Sequence, residues 1–308
     1  MTRDALLLMA YGSPDSLDQV EAYYTDIRRG SPPPPHLLAE LLDRYRAIGG
    51  GSPLSYIVEA QRAALQEELA ARGLPIPVYA GMRHIAPWIR DVVTRMAGDG
   101  VERFVAIPLA PQRSANAAGY RRAVDGALAG LGVDAPIAGF VDSWHDQPRL
   151  IDALAATTLE ALARFDHPAD VRIMFTAHSL PARFAAEGDP YPEELATTAR
   201  LVAARLGIER YEFSYQSAGR TGEPWLGPDI LDEIRRLAAT GVTELVVRPV
   251  GFVADHLEVL YDIDIEAQAV AREAGVHLER ARSLNTDPVF IAALADIAAA
   301  ALTPAAVA

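Results

Sequence analysis

The chain has 308 residues, half of them apolar, and a net charge of −13, which suits one large globular domain or two smaller ones. It has no cysteine, which excludes disulfides, thiolate metal sites, cysteine nucleophiles and cysteine-ligated Fe–S clusters. It has no lysine either, since all 28 basic residues are arginine, which excludes a Schiff base and a P-loop; the acidic balance argues against nucleic acid as a partner.

In chain order, short apolar or β-branched runs predict strands at Ala5–Tyr11, Val78–Met82, Phe104–Leu109, Ile137–Val141, Val171–Ala177, Tyr211–Gln216, Glu244–Val250 and His277–Ala281. Amphipathic stretches between them predict helices, among them Leu54–Arg72, Pro87–Met96, Leu150–Arg164, Glu193–Leu206 and Asp229–Ala239. The alternation predicts an α/β protein with parallel sheets. No run reaches the ~18 uncharged apolar residues of a membrane span. The N-terminus lacks the form of a signal peptide, so a cytoplasmic protein, without a membrane span, is expected.

An internal repeat divides the chain. Gly100–Pro108 (GVERFVAIP) aligns without gaps on Gly241–Pro249 (GVTELVVRP), and the same register sets Tyr120 on Tyr261. A second pairing sets Ala10–Pro14 (AYGSP) on Ala177–Pro181 (AHSLP). Two similar Rossmann-like, doubly wound domains follow, residues 1–145 and 146–308, each with a parallel four-stranded sheet. The last helix, about 287–302, is expected to cross back to the first domain. Ligands of such folds bind beyond the carboxyl ends of the strands, so Tyr11 and His178 are expected to face one interdomain cleft. The first half carries an insertion bracketed by the proline run Gly30–Pro35 and the turn Gly49–Leu54, where Ser52 is the expected N-cap and Pro53 the first helical residue.

His178 ends an apolar strand and is placed for catalysis or metal ligation, or else is a packed histidine with both nitrogens satisfied. Glu258, Asp262 and Glu266 recur every four residues; on one helix they form an acidic row suited to a hard divalent cation. Alternatively, Asp255 and Glu258 make a capping box and the rest is a solvated face. Arginines interleave with aromatics in the first half: Arg28, Arg29, Arg44 and Arg46 with Tyr23, Tyr24, Tyr45 and Tyr120. That mixture describes a flat apolar ligand with carboxylate arms, or ordinary helix packing. His84 and His256 are secondary candidates. No G-x-G-x-x-G follows the first strand, so no nucleotide is expected.

The segments LLLMAYGSP (6–14), YYTDIRRG (23–30), DRYRAIGGGSPL (43–54), FTAHSLP (175–181), GDPYP (188–192), PWLGPD (224–229) and PVGFVADHLEVLYDID (249–264) resemble ferrochelatases, most of all the soluble Gram-positive type acting on coproporphyrin III. The resemblance implies insertion of Fe²⁺, as substrate, into a porphyrin held between two Rossmann-like domains in haem biosynthesis. It implies that His178 and Glu258 handle metal and protons, and that Tyr11 approaches the opposite porphyrin face as axial ligand of the product iron. Ile27, Arg28, Arg44, Tyr45, Ser52, Tyr120 and Trp225 map to porphyrin binding. Asp262 and Glu266 map to an outer divalent-cation site, a candidate for Mg²⁺. A monomer making transient contact with neighbouring haem-pathway enzymes is expected. The alternatives are a protoporphyrin IX ferrochelatase, a cobalt or nickel tetrapyrrole chelatase, and a non-catalytic porphyrin or haem carrier.

Overall fold

Each of the eight apolar runs forms a strand in the computed structural model, which describes residues 3–115, 117–132, 135–219 and 222–302. The elements run β1 (Asp4–Ala10), α1 (Val20–Ile27), α2 (Pro35–Ala47), α3 (Leu54–Ala71), β2 (Val78–Met82), α4 (Ile89–Gly98), β3 (Arg103–Pro108), α5 (Ala118–Leu131), β4 (Ile137–Phe140) and α6 (Pro148–Leu162). They continue with β5 (Arg172–His178), α7 (Ala182–Ala186), α8 (Tyr191–Leu206), β6 (Glu212–Gln216), α9 (Ile230–Ala239) and β7 (Glu244–Pro249). Last come α10 (Leu257–Leu260), a π-helical segment (Asp262–Ala267), α11 (Gln268–Glu273), β8 (His277–Arg280) and α12 (Pro288–Leu302).

The strands form two four-stranded parallel sheets, ordered β2-β1-β3-β4 and β6-β5-β7-β8. β1 and β5 hold the same place in their sheets, as do β3 and β7, so the sequence repeat is a repeat of topology. Both sheets take the α/β form because their strands read as continuous apolar runs, covered by helices. Leu6, Leu7 and Leu8 of β1 are fully buried. Against this sheet α4 lays Ile89, Val92, Val93 and Met96, spaced i, i+3, i+4, i+7 as one helical stripe. In the second sheet Ile230, Ile234 and Leu237 of α9 cover Met174, Leu245 and Val247. Truncating such a residue, Leu7→Ala for example, would cost about 2–5 kcal/mol.

The chain divides into two compact units, Met1–Gln147 with Asn285–Ala308, and Pro148–Leu284. In the first unit α12 is tied to α3 by Arg72, which reaches Asp296 at 2.6 Å, and Phe290 stacks on Trp144 at 6.1 Å between ring centroids. The Gly49–Leu54 turn is offset by one residue from the expectation. Pro53 holds the N-cap position and Leu54 begins the helix, while the Ser52 hydroxyl accepts from the Leu54 amide at 3.3 Å.

Candidate active site

In the second unit, β5 delivers His178 to its carboxyl end and the chain then turns under clamps. The Ser179 amide donates to Gln216 O at 2.7 Å and the Ser179 hydroxyl to Leu226 O at 2.7 Å. Leu226 N returns to Leu180 O at 2.9 Å, and Pro181 pairs with Trp225 in an antiparallel bridge. Trp225 therefore braces the turn that follows His178. The Tyr191 hydroxyl donates to the His178 carbonyl at 3.1 Å.

The His178 ring is oriented by its own backbone. Its Nδ1 meets the Ser179 carbonyl, which can only accept, so Nδ1 carries the hydrogen and Nε2 keeps the lone pair. Burial lowers the pKa of this imidazole, while Glu258 nearby opposes the shift. The result is a neutral base.

Phe252 stands between two imidazoles, edge-on to His178 at 6.5 Å and to His256 at 4.5 Å. His256 faces the Ala254 carbonyl with Nδ1 at 2.9 Å and Glu258 Oε2 with Nε2 at 3.2 Å. Nδ1 must again be the donor, which turns Nε2 toward the Glu258 carboxylate. His256, a secondary candidate in the sequence, thus stands directly beside Glu258.

The acidic row is not one regular helix face. α10 lasts a single turn, and the Glu266 amide then bonds Tyr261 O five residues back, at 3.0 Å. This wider π turn breaks the i, i+4 alignment of Glu258, Asp262 and Glu266. Asp262 is buried and its carboxylate accepts from the Ser217 hydroxyl. The capping box is absent as well. His256 occupies the N-cap of α10, and Asp255 turns instead to Arg280 at 3.2 Å and Ser283 at 2.7 Å. Arg280 also grips Asp264 at 2.6 and 2.9 Å, fastening both ends of this segment to β8. Among the described residues no group of three or more histidines and carboxylates gathers to hold a metal.

In the first unit, Tyr11 follows β1 as His178 ends β5. Gly12 has φ +88°, and a Cβ there would lie 2.7 Å from Ile85 Cγ2, so only glycine allows the turn. Tyr23 donates to Gly12 O at 3.1 Å, and the Ser13 and Tyr45 hydroxyls are 2.7 Å apart. His84 packs on the Tyr11 ring at 4.4 Å, and its Nδ1 meets Asp26 at 2.7 Å. Its Nε2 is buried with no hydrogen-bond partner. Burial depresses the pKa of this histidine, with Asp26 opposing and the Arg83 charge assisting. Arg83 lies over the Tyr11 ring at 5.6 Å, and its guanidinium occupies the space where a Cβ on residue 119 would stand, which glycine leaves open. Sequence reading did not single out Arg83; its adjacency to His84 was the available signal.

Among the other expected porphyrin contacts, Tyr45, Ser52 and Tyr120 are buried, whereas Ile27, Arg28 and Arg44 keep exposed surface. Arg28 has a buried Nε with no hydrogen-bond partner, and its cation sits over Tyr24 at 5.8 Å. Arg44 approaches Glu40 at 3.8 Å. Burial raises the Tyr120 phenol strongly, so it stays neutral.

A ferrochelatase family profile matches residues 3–302. The chain belongs to the ferrochelatase family. Ferrochelatases from Deinococcus radiodurans and Thermus thermophilus are 45% and 46% identical to it, over 95% and 96% of this chain and 94% and 98% of theirs. A protein of Geobacillus sp. named coproporphyrin III ferrochelatase is 42% identical, over 95% of this chain and 96% of its own. Among solved structures, the sirohydrochlorin chelatase SirB of Bacillus subtilis in complex with cobalt superposes with a TM-score of 0.59 at 12% identity. That alignment covers 99% of this chain and 97% of SirB, and it shows that this ferrochelatase has the fold of chelatases. Family membership makes the chain a haem-biosynthesis enzyme with a porphyrin as substrate. Among the described residues no helix is long and apolar enough to cross a membrane.

Proposed function

We propose that the chain inserts Fe²⁺ into coproporphyrin III, releasing two protons and leaving coprohaem. The observation that carries this reading is the set of His178, Glu258 and His256 at the carboxyl ends of β5 and β7, with lone pairs fixed by backbone contacts.

Metal insertion must strip two pyrrole protons and the hydration shell of the ion. His178 Nε2 accepts one proton or binds the incoming ion, as a neutral imidazole can do either. Glu258 takes the second proton, with His256 Nε2 3.2 Å from its carboxylate. Tyr11, whose ring meets both His84 and Arg83, would ligate the product iron. Arg28 and Arg44 bind propionates, and Arg28's buried Nε is a donor awaiting an anion. Tyr45 and Ser52 act by bracing the turn that carries Tyr11.

The preference for coproporphyrin rests on the half-buried Arg28 and Arg44, suited to a substrate with several carboxylates, and on similarity to relatives bearing that name. Anaerobic Fe²⁺ insertion with coproporphyrin III and protoporphyrin IX side by side tests it. Preference for protoporphyrin overturns the substrate assignment. His178→Ala is expected to abolish insertion and spare porphyrin binding; surviving insertion overturns the role of His178, and a wild-type chain that binds porphyrin without metalating it is a carrier.

A further inference from the structure

Gln216, the last residue of β6, is fully buried and lies outside the groups that meet the substrate. Its side-chain amide joins two elements. Oε1 accepts from the Thr176 hydroxyl of β5 at 3.1 Å, and Nε2 donates to the main-chain carbonyl of Glu258 at 2.6 Å. The orientation of the amide is fixed by chemistry. The Glu258 carbonyl can only accept, so the NH₂ end must face it and the oxygen must face Thr176. Its main chain adds a third link, because Gln216 O accepts the amide of Ser179, the residue after His178. Pairing of β5 with β6 sets His178 directly opposite Gln216.

We infer that Gln216 is a positioning residue for metal insertion, holding Glu258 in register with His178. The inference rests on the reading of His178 and Glu258 as proton- and metal-handling groups. α10 is one turn long and starts without a side-chain cap, so its own hydrogen bonds do little to fix Glu258. The carbonyl of Glu258 is held from the end of β6, and the strand pairing places that anchor beside His178. Thr176 completes the device: its hydroxyl sets the amide, and its carbonyl accepts from Val250 N at 2.8 Å, where the β7 loop leaves the sheet. A shift of Glu258 against His178 leaves the residues proposed to bind porphyrin unchanged. It spoils only the step that needs both groups, as misplacement of reacting atoms does.

The test is steady-state insertion of Fe²⁺ into coproporphyrin III, under anaerobic conditions, by Gln216→Ala, Gln216→Met, Thr176→Val and Glu258→Gln. The Gln216 variants are expected to lose roughly 10–100-fold in kcat with the porphyrin KM within about twofold. Thr176→Val, which removes only the orienting hydroxyl, is expected to fall between them and wild type. In a Glu258→Gln background, Gln216→Met should cost less than about twofold further, since the two act as one unit. Unchanged kcat in folded Gln216→Met overturns the inference while leaving the role of Glu258 standing. Losses that merely follow the folded fraction in thermal melts overturn it too. Full activity of Glu258→Gln overturns the reading beneath it.

Discussion

His256 Nε2 lies 3.2 Å from Glu258 Oε2 while its Nδ1 is committed to the carbonyl of Ala254. The contact sets a second imidazole directly beside the carboxylate. His256→Ala is expected to lower kcat for insertion about 10–100-fold, with porphyrin KM nearly unchanged. Stopped-flow metalation with wild type and variant checks it, and equal rates would show the contact to be passive.

Arg28 bears a donor nitrogen that finds no acceptor within the protein. Removing it should weaken substrate binding rather than chemistry. Arg28→Gln is expected to raise the porphyrin KM about tenfold with kcat little changed. The loss should be greater for coproporphyrin than for a porphyrin with fewer propionates. Equal losses for both would separate Arg28 from propionate binding.

Acid stability follows from the two depressed imidazoles, His178 and His84. Below the ordinary histidine value of about 6.5 the unfolded chain takes up protons that the folded chain still refuses. Stability is therefore full above that pH and falls as the pH drops toward the folded values. Melting temperatures from pH 8 to pH 5 should decline over the lower part of the range, and the double variant His84→Asn, His178→Asn should flatten the decline. A parallel decline in the double variant would trace the acid sensitivity to other groups.

Arg248 on β7 is fully buried, and its partners are all neutral: Thr158 Oγ1 at 3.0 Å, Thr157 Oγ1 at 2.5 Å and Arg282 O at 3.2 Å. Burial, with Arg280 and Arg282 adding repulsion, pulls this guanidinium down to about 9. At neutral pH it is still charged, so the folded state bears the whole desolvation penalty. Arg248→Met is expected to leave the melting temperature unchanged or raise it, by up to about 4 kcal/mol of stability. Thr157→Val, which strands a buried donor, should instead cost about 1–3 kcal/mol. A large drop for Arg248→Met would mean the cation is needed for folding.

The strands were legible because buried parallel strands are short β-branched runs bounded by turns; Val78–Met82 came out to the residue. The pairing of Tyr11 with His178 was legible too, since the repeat kept both at a strand end. The π segment was not. Hydrophobic spacing records which side chains are buried, not which carbonyl an amide selects, and Glu266 selects Tyr261. Asp255 misled for a related reason. It satisfies the capping pattern, but Arg280, distant in sequence, competes for its carboxylate. Gln216 leaves no local signature, because its partners come from other elements.

The three histidines near these strand ends share one constraint. Each has Nδ1 engaged, His178 by Ser179 O, His256 by Ala254 O and His84 by Asp26. None can flip its ring without breaking that bond, so every imidazole offers its surroundings the same nitrogen. In the proposed chemistry His178 and His256 therefore act with locked polarity, each through Nε2 alone. Traffic through such groups has a direction built into the backbone, before any substrate arrives.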